Sequence, residues 1–275
     1  MLYDCHIHTE FSADSELKIK DILEKAKKNN LGIITTEHLD YNLKTHPQFA
    51  ELDIEGYLKE YSKYRGENMQ QGVELGLAMN NVDENFAFYE KYKDKFDMII
   101  GSIHSINGVT LSRFLKQDTR PKEVVYGEYL DNMLKCIEFY DIFDTLGHID
   151  YPCRYSTYDD KEMTLKDFKP KFQAIFKTLI AKNKVLELNT TRLNDETSFK
   201  NMVEIYSYYR ELGGKYITLG SDSHKIEHIG RNFEKLYKFL EETKLAPCYF
   251  KERKLIPCSY PLSLIHIWRC RRYAV

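Results

Sequence analysis

Short apolar runs alternate with longer stretches whose apolar residues recur at mixed three- and four-residue spacing. The runs Leu2–His6, Leu31–Thr36, Gly72–Leu77, Asp97–Ile103, Ile142–Gly147, Lys184–Asn189 and Lys215–Gly220 read as seven β-strands. Between them, Leu17–Asn30, Ile54–Met69, Asn81–Phe96, Val124–Tyr140, Thr164–Lys182, Phe199–Leu212 and Asn232–Glu242 read as amphipathic helices. Strands alternating with helices predict a parallel sheet. Ser15 or Asp14 is the expected cap of the first helix, Thr164 that of the fifth, and Gly213-Gly214 the stop of the sixth. At 275 residues and 43% hydrophobic content the chain can close such units into one α/β barrel, a fold for which about 250 residues is ordinary. One domain is expected over residues 1–261.

Closing the sheet brings every strand's carboxyl end to one face, where such folds place their chemistry. Six of the nine histidines stand at those ends, and only His46, His228 and His266 do not. The first strand runs into His6-Ile7-His8, and an extended period of two points both imidazoles to one side. With Asp14, His38, Glu74, His104, His148, Asp222 and His224 they make a constellation suited to a polynuclear metal site. Imidazoles mixed with carboxylates favour Zn²⁺, Mn²⁺ or Fe²⁺ over Mg²⁺ or Ca²⁺. A carboxylate at Glu74 could hold two ions about 3.5–4 Å apart, and a hydroxide bridging them is the expected nucleophile. Arg154 and Arg192 follow the fifth and sixth strands, where a guanidinium fork could clamp a phosphate. Lys225 is a weaker candidate for the same rim. Glu187 and Asn189 are placed to orient imidazoles from behind. Arg113, Lys116, Arg120 and Lys122 follow strand four, in a stretch read as a solvated loop or a lid. Cys5, turned away from the metal side by strand alternation, is assigned to packing, as are the helix tyrosines Tyr126, Tyr129, Tyr206, Tyr208 and Tyr209.

Charge changes little: 40 Lys and Arg against 42 Asp and Glu leave a net −2, without the basic footprint that nonspecific nucleic-acid binding requires. Six scattered cysteines show no CxxC pair and no disulfide framework, so a reducing cytoplasm is expected. Neither a signal-type leader nor a membrane-length apolar run stands out. The final string, 262–275, changes abruptly to an apolar-then-basic composition carrying the only Trp; it resembles translated sequencing-adapter sequence and is expected to be non-native.

Seven ordered motifs, DCHIHTEFSAD at 4–14, TEHLDY at 36–41, GVELGL at 72–77, GSIHS at 101–105, GHIDYPCR at 147–154, ELNTTR at 187–192 and GSDSHK at 220–225, resemble the polymerase-and-histidinol-phosphatase (PHP) family of metallohydrolases, most closely its histidinol-phosphatase branch. The resemblance implies a distorted TIM-like (β/α)₇ barrel with a trinuclear site. It assigns His6, His8 and Asp222 to one ion, His104 and His148 to a second, Glu74 as the bridge, and Asp14, His38 and His224 to the third. Glu74, Asp222 and His224 are the expected catalytic groups. The implied reaction is hydrolysis of L-histidinol phosphate, a small phosphorylated substrate, in histidine biosynthesis. A PHP-type phosphodiesterase or exonuclease is the alternative, which would want a basic, aromatic-lined groove. Amidohydrolase barrels also begin with HxH but often bridge their metals with a carbamylated lysine, where Glu74 stands here. A non-catalytic metal-binding module would be expected to have lost ligands.

Overall fold

The computed structural model describes residues 1–259. The sequence-predicted tail, 262–275 with His266, lies outside them. Among the described residues eleven strands form: β1 Leu2–Ile7, β2 Leu31–Leu39, β3 Met69–Gly76, β4 Met98–Ser102, β5 Ser105–Ile106, β6 Val109–Thr110, β7 Thr145–Leu146, β8 Val185–Asn189, β9 Tyr216–Gly220, β10 Ala246–Lys251 and β11 Lys254–Pro257. The helices are α1 Ile19–Asn29, α2 Ile54–Tyr61, α3 Val82–Tyr92, α4 Leu111–Gln117, α5 Lys122–Phe139, α6 Pro152–Tyr155, α7 Leu165–Ala181, α8 Glu196–Glu211 and α9 Phe233–Thr243. Nine strands make one sheet in the order β1-β2-β3-β4-β7-β8-β9-β10-β11, parallel from β1 to β10. All seven predicted strands are in it.

The fold is a distorted parallel α/β barrel whose ends meet along a thin seam. β1 and the segment just past β9 share one parallel bridge, Ile7 to Ser223. There the His8 N–H donates to Ser223 O at 2.9 Å and the Ser223 N–H to His6 O at 3.2 Å. The Asp4 carboxylate supplies what the backbone ladder lacks, accepting from the Ser221 N–H (2.9 Å), the Ser221 hydroxyl (2.5 Å) and the Gly230 N–H (2.8 Å). Buried carboxylates without a cation stay costly, and burial pushes Asp4 up to about 6 despite these donors.

Tyr3, Cys5, Ile34, Met98, Ile100, Val185, Cys248 and Phe250 fill the barrel's base, so Cys5 packs as expected. A larger cluster joins the outer faces of the strands to the helices and contains all five tyrosines assigned to packing. Sequence reading missed two hairpins. β5 and β6 pair antiparallel in the stretch after strand four; there Arg120 is held by Asp118 and Glu128, and Lys122 is buried against Asp160. β10 and β11 pair antiparallel, and their turn crosses the base. Arg253 in that turn donates to Asp144 Oδ2 at 2.5 Å, and the Glu252 N–H to Asp97 Oδ1 at 2.9 Å.

Local signals fare well where the chemistry is local. Thr164 caps α7 by accepting from the Asp167 N–H at 3.2 Å, and Gly213, with φ of 111°, follows the end of α8. Asp14 and Ser15 do not cap α1, whose N-terminal flank is Lys18 with no side-chain bond. Ser15 Oγ instead donates to His8 O at 3.0 Å, tying the loop to the strand that bears the HxH pair. Pro170 breaks the regularity of α7, and Phe168 leaves helical geometry at φ −123° and ψ 18°.

Candidate metal centre

At the carboxyl end of β1, alternation turns His6 and His8 the same way, while Ile7 between them is buried on the opposite side. β2 contributes His38, β3 Glu74, the turn after β4 His104, the turn after β7 His148, and the segment after β9 Asp222 and His224. These donors gather in three groups. His6 Nε2 and His8 Nε2 lie 3.7 and 3.3 Å from Asp222 Oδ1, and 3.1 and 3.5 Å from Glu74 Oε2. His104 Nε2 and His148 Nε2 lie 3.1 and 2.9 Å from Glu74 Oε1 and 3.3 Å from each other. His38 Nε2 and His224 Nε2 lie 3.6 and 3.2 Å from Asp14 Oδ2 and 3.4 Å apart. Glu74 therefore spans two groups, one oxygen in each, and its Oε2 also approaches His38 Nδ1 at 2.9 Å.

Several of these contacts have the distance of hydrogen bonds without being hydrogen bonds. His6 Nε2, His8 Nε2, His38 Nδ1 and Glu74 Oε2 are buried and unpartnered. Orphaned buried polar atoms cost about 1–3 kcal/mol each, so four converging atoms without partners fit a set of lone pairs aimed at cations. Burial alone would raise the Glu74 carboxyl, but the imidazoles of His6, His104 and His38 hold it well below the usual carboxylate range. Burial pushes His8 well below ordinary histidine, and neighbouring His38 and His224 push the same way; a neutral imidazole is the form that can ligate. The His8 ring is stacked against both, with centroids 4.0 and 4.2 Å away.

The supports behind these donors are acidic. Glu187 Oε1 lies 2.6 Å from His6 Nδ1, Glu187 Oε2 accepts from the His148 N–H at 2.8 Å, and Asn189 Nδ2 donates to Asp222 Oδ2 at 3.3 Å. Both Asp40 oxygens lie 3.0 Å from His104 Nδ1. Fixing the rear nitrogen orients the front one. Asp222 sits at φ 53°, a left-handed conformation that few residues other than glycine adopt and that concentrates at functional sites. His38, His104, His148 and His224 open onto a cavity of about 300 Å³, also lined by Tyr151, Arg154, Thr191, Lys225, His228 and Arg231. Arg154 Nη1 donates to Asp222 Oδ2 at 2.5 Å, while its buried Nε and Nη2 have no partner.

The PHP domain family matches residues 4–191. The chain belongs to the PHP family. It is 38% identical over 253 residues to a probable histidinol-phosphatase of Clostridium acetobutylicum, covering 92% of this chain and 98% of that protein. The histidinol-phosphatase of Lactococcus lactis is 30% identical over 230 residues, covering 80% and 83%. Among solved structures, the Lactococcus lactis histidinol phosphate phosphatase complexed with zinc, L-histidinol and phosphate aligns with a TM-score of 0.77 at 26% identity, over 93% of this chain and 98% of that one.

For this PHP chain the geometry departs from the sequence expectation at Arg192. That side chain does not line the imidazole cavity. Its Nη1 donates to Asp150 Oδ2 at 2.9 Å and its Nη2 to Ser198 Oγ at 2.8 Å and to Glu162, beside an adjoining cavity of about 580 Å³. Two carboxylates saturate the fork that a phosphate would need. Lys225 does reach the cavity wall, as do His228 and Arg231, which stand at no strand end. Asp40 was legible in hindsight, since it lies two residues after His38 in an extended run. Arg231 carried no such signal.

Proposed function

We propose that this chain is a metal-dependent phosphomonoesterase that hydrolyses L-histidinol phosphate to L-histidinol and inorganic phosphate. The observation that carries the reading is Arg154, which lines the cavity together with six of the nine candidate ligands and keeps two buried N–H donors without a partner. Relatives named histidinol-phosphatase over nearly the whole chain support the substrate. His6, His8 and Asp222 would hold one ion, His104 and His148 a second, with Glu74 shared between them, and Asp14, His38 and His224 a third. Zn²⁺, Mn²⁺ or Fe²⁺ suit these donors. Divalent ions bound there would supply Lewis acidity and a water that ionises near neutral pH.

The chain's own residues do the rest. Arg154 binds phosphoryl oxygens through Nε and Nη2 while its Nη1 holds Asp222. Asp40 and Glu187 fix the rings of His104 and His6, and Tyr151, stacked on His148 at 4.4 Å and 5.3 Å from the Arg154 guanidinium, keeps both in place. The five cysteines among the described residues are free, in keeping with a cytoplasmic enzyme, and no described helix is long and apolar enough to cross a membrane. Elemental analysis of the purified protein, paired with assays on L-histidinol phosphate, ribose phosphates, p-nitrophenyl phosphate and single-stranded DNA, tests the reading. Preferred release of phosphate from L-histidinol phosphate is expected. Nuclease activity without that release would overturn it.

A further inference from the structure

Arginines buried in this protein are neutralised by carboxylates: Arg154 by Asp222, Arg192 by Asp150 and Glu162, Arg253 by Asp144. Among the described residues Arg231 is the exception: it lines the imidazole cavity, is half-buried, and has no described carboxylate within ion-pair distance. Its donors meet only neutral acceptors: Nε reaches Ser221 O at 2.9 Å, and Nη2 reaches Thr191 Oγ1 at 2.6 Å and Asp222 O at 3.5 Å.

The backbone around it is held as firmly as that of a ligand. Gly230 and Asn232, on either side, both adopt left-handed geometry at φ 69° and 61°. The Gly230 N–H donates to Asp4 Oδ2 at 2.8 Å, Thr190 Oγ1 donates to Arg231 O at 2.8 Å, and Asn232 Nδ2 donates to Thr190 O at 2.7 Å. A charge so placed, near a second arginine and without a counter-ion of its own, is costly unless an anion completes it.

We propose that Arg231 is a substrate-binding residue that forms, with Arg154, a two-arginine cradle for the phosphoryl group and for the released phosphate. The inference rests on the phosphomonoesterase reading and gives to Arg231 the role that the sequence suggested for Arg192. A guanidinium pinned through Nε and Nη2 is pre-organised, so little rotamer entropy is lost when an anion binds.

The test uses the metal-loaded full chain with Arg231→Gln and Arg231→Lys. Three quantities are read: metal content, the affinity for inorganic phosphate by calorimetry, and kcat/KM on L-histidinol phosphate and p-nitrophenyl phosphate. Arg231→Gln should keep its metals, bind phosphate about tenfold or more weakly, and lose kcat/KM on both esters by similar factors, because the lost contact is to the group they share. Arg231→Lys, which keeps the charge, should recover part of each loss and serves alone if the glutamine variant does not fold. Phosphate affinity within twofold of the parent in a metal-replete variant overturns the proposal. So does loss of metal whose replenishment restores phosphate binding, since Arg231 would then only position Asp222. Should the parent bind phosphate but not hydrolyse L-histidinol phosphate, the substrate reading fails while the calorimetric comparison still decides the cradle.

Discussion

Replacing Arg154 by alanine removes two buried N–H donors that have no partner and, with them, the partner of Asp222 Oδ2 at 2.5 Å. A charge-assisted hydrogen bond contributes about 1.5–3 kcal/mol. Nε and Nη2 belong to one rigid fork, so their loss counts once as a bidentate contact rather than twice, and kcat/KM should fall about 10- to 150-fold. A contact that tightens as charge spreads over the phosphoryl oxygens lowers kcat; one equally strong in the ground state raises KM. Phosphate release from L-histidinol phosphate, measured from far below to far above KM, separates the two. Elemental analysis must accompany it, because Asp222 also stands among the candidate ligands. If the variant keeps its metals and its kcat/KM stays within threefold, the two free donors do not face phosphate and the reasoning fails.

Glu74→Gln should lower bound metal and abolish most activity, because one of its oxygens serves each of two donor groups; a variant with full metal content and full rate refutes the bridge. Arg253→Ala should lower stability by about 3 kcal/mol, because it strands the buried Asp144 carboxylate, and denaturant melts will show it. A chain ending at Tyr260 should melt and turn over substrate like the full chain, since every candidate ligand precedes it; a melting point lower by several degrees would give the tail a structural role.

The candidate ligands were legible because all but Asp14 sit in or just past a strand. An apolar run announces the strand, a period of two gives its facing, and barrel closure makes six separate strand ends coincide. Helix ends were legible where the cap is within three residues, as at Thr164. What escaped depends on partners distant in sequence. Arg192 looked like a rim arginine, yet Asp150 and Glu162, 42 and 30 residues earlier, claim its donors. The β10–β11 hairpin carries no ligand, and its turn is made by Glu252 and Arg253, both at positive φ, rather than by the glycine or asparagine that usually marks such a turn. Asp4 carries no role that its neighbours in sequence reveal, because its carboxylate joins Ser221 and Gly230 across the seam.

That seam has a thermodynamic consequence. His6 and His8 lie on one side of it, Asp222 and His224 on the other, and a single backbone bridge spans the gap. Whatever ions these four residues share act as rivets between β1 and the end of β9, binding the native state and not the unfolded one. Melting temperature should then rise with free metal concentration by mass action. Chelation should be felt locally before it is felt globally. The amides of His8 and Ser223 should lose protection from hydrogen exchange while the β2–β3 ladder keeps its own, so the barrel would unzip from its metal-bearing edge.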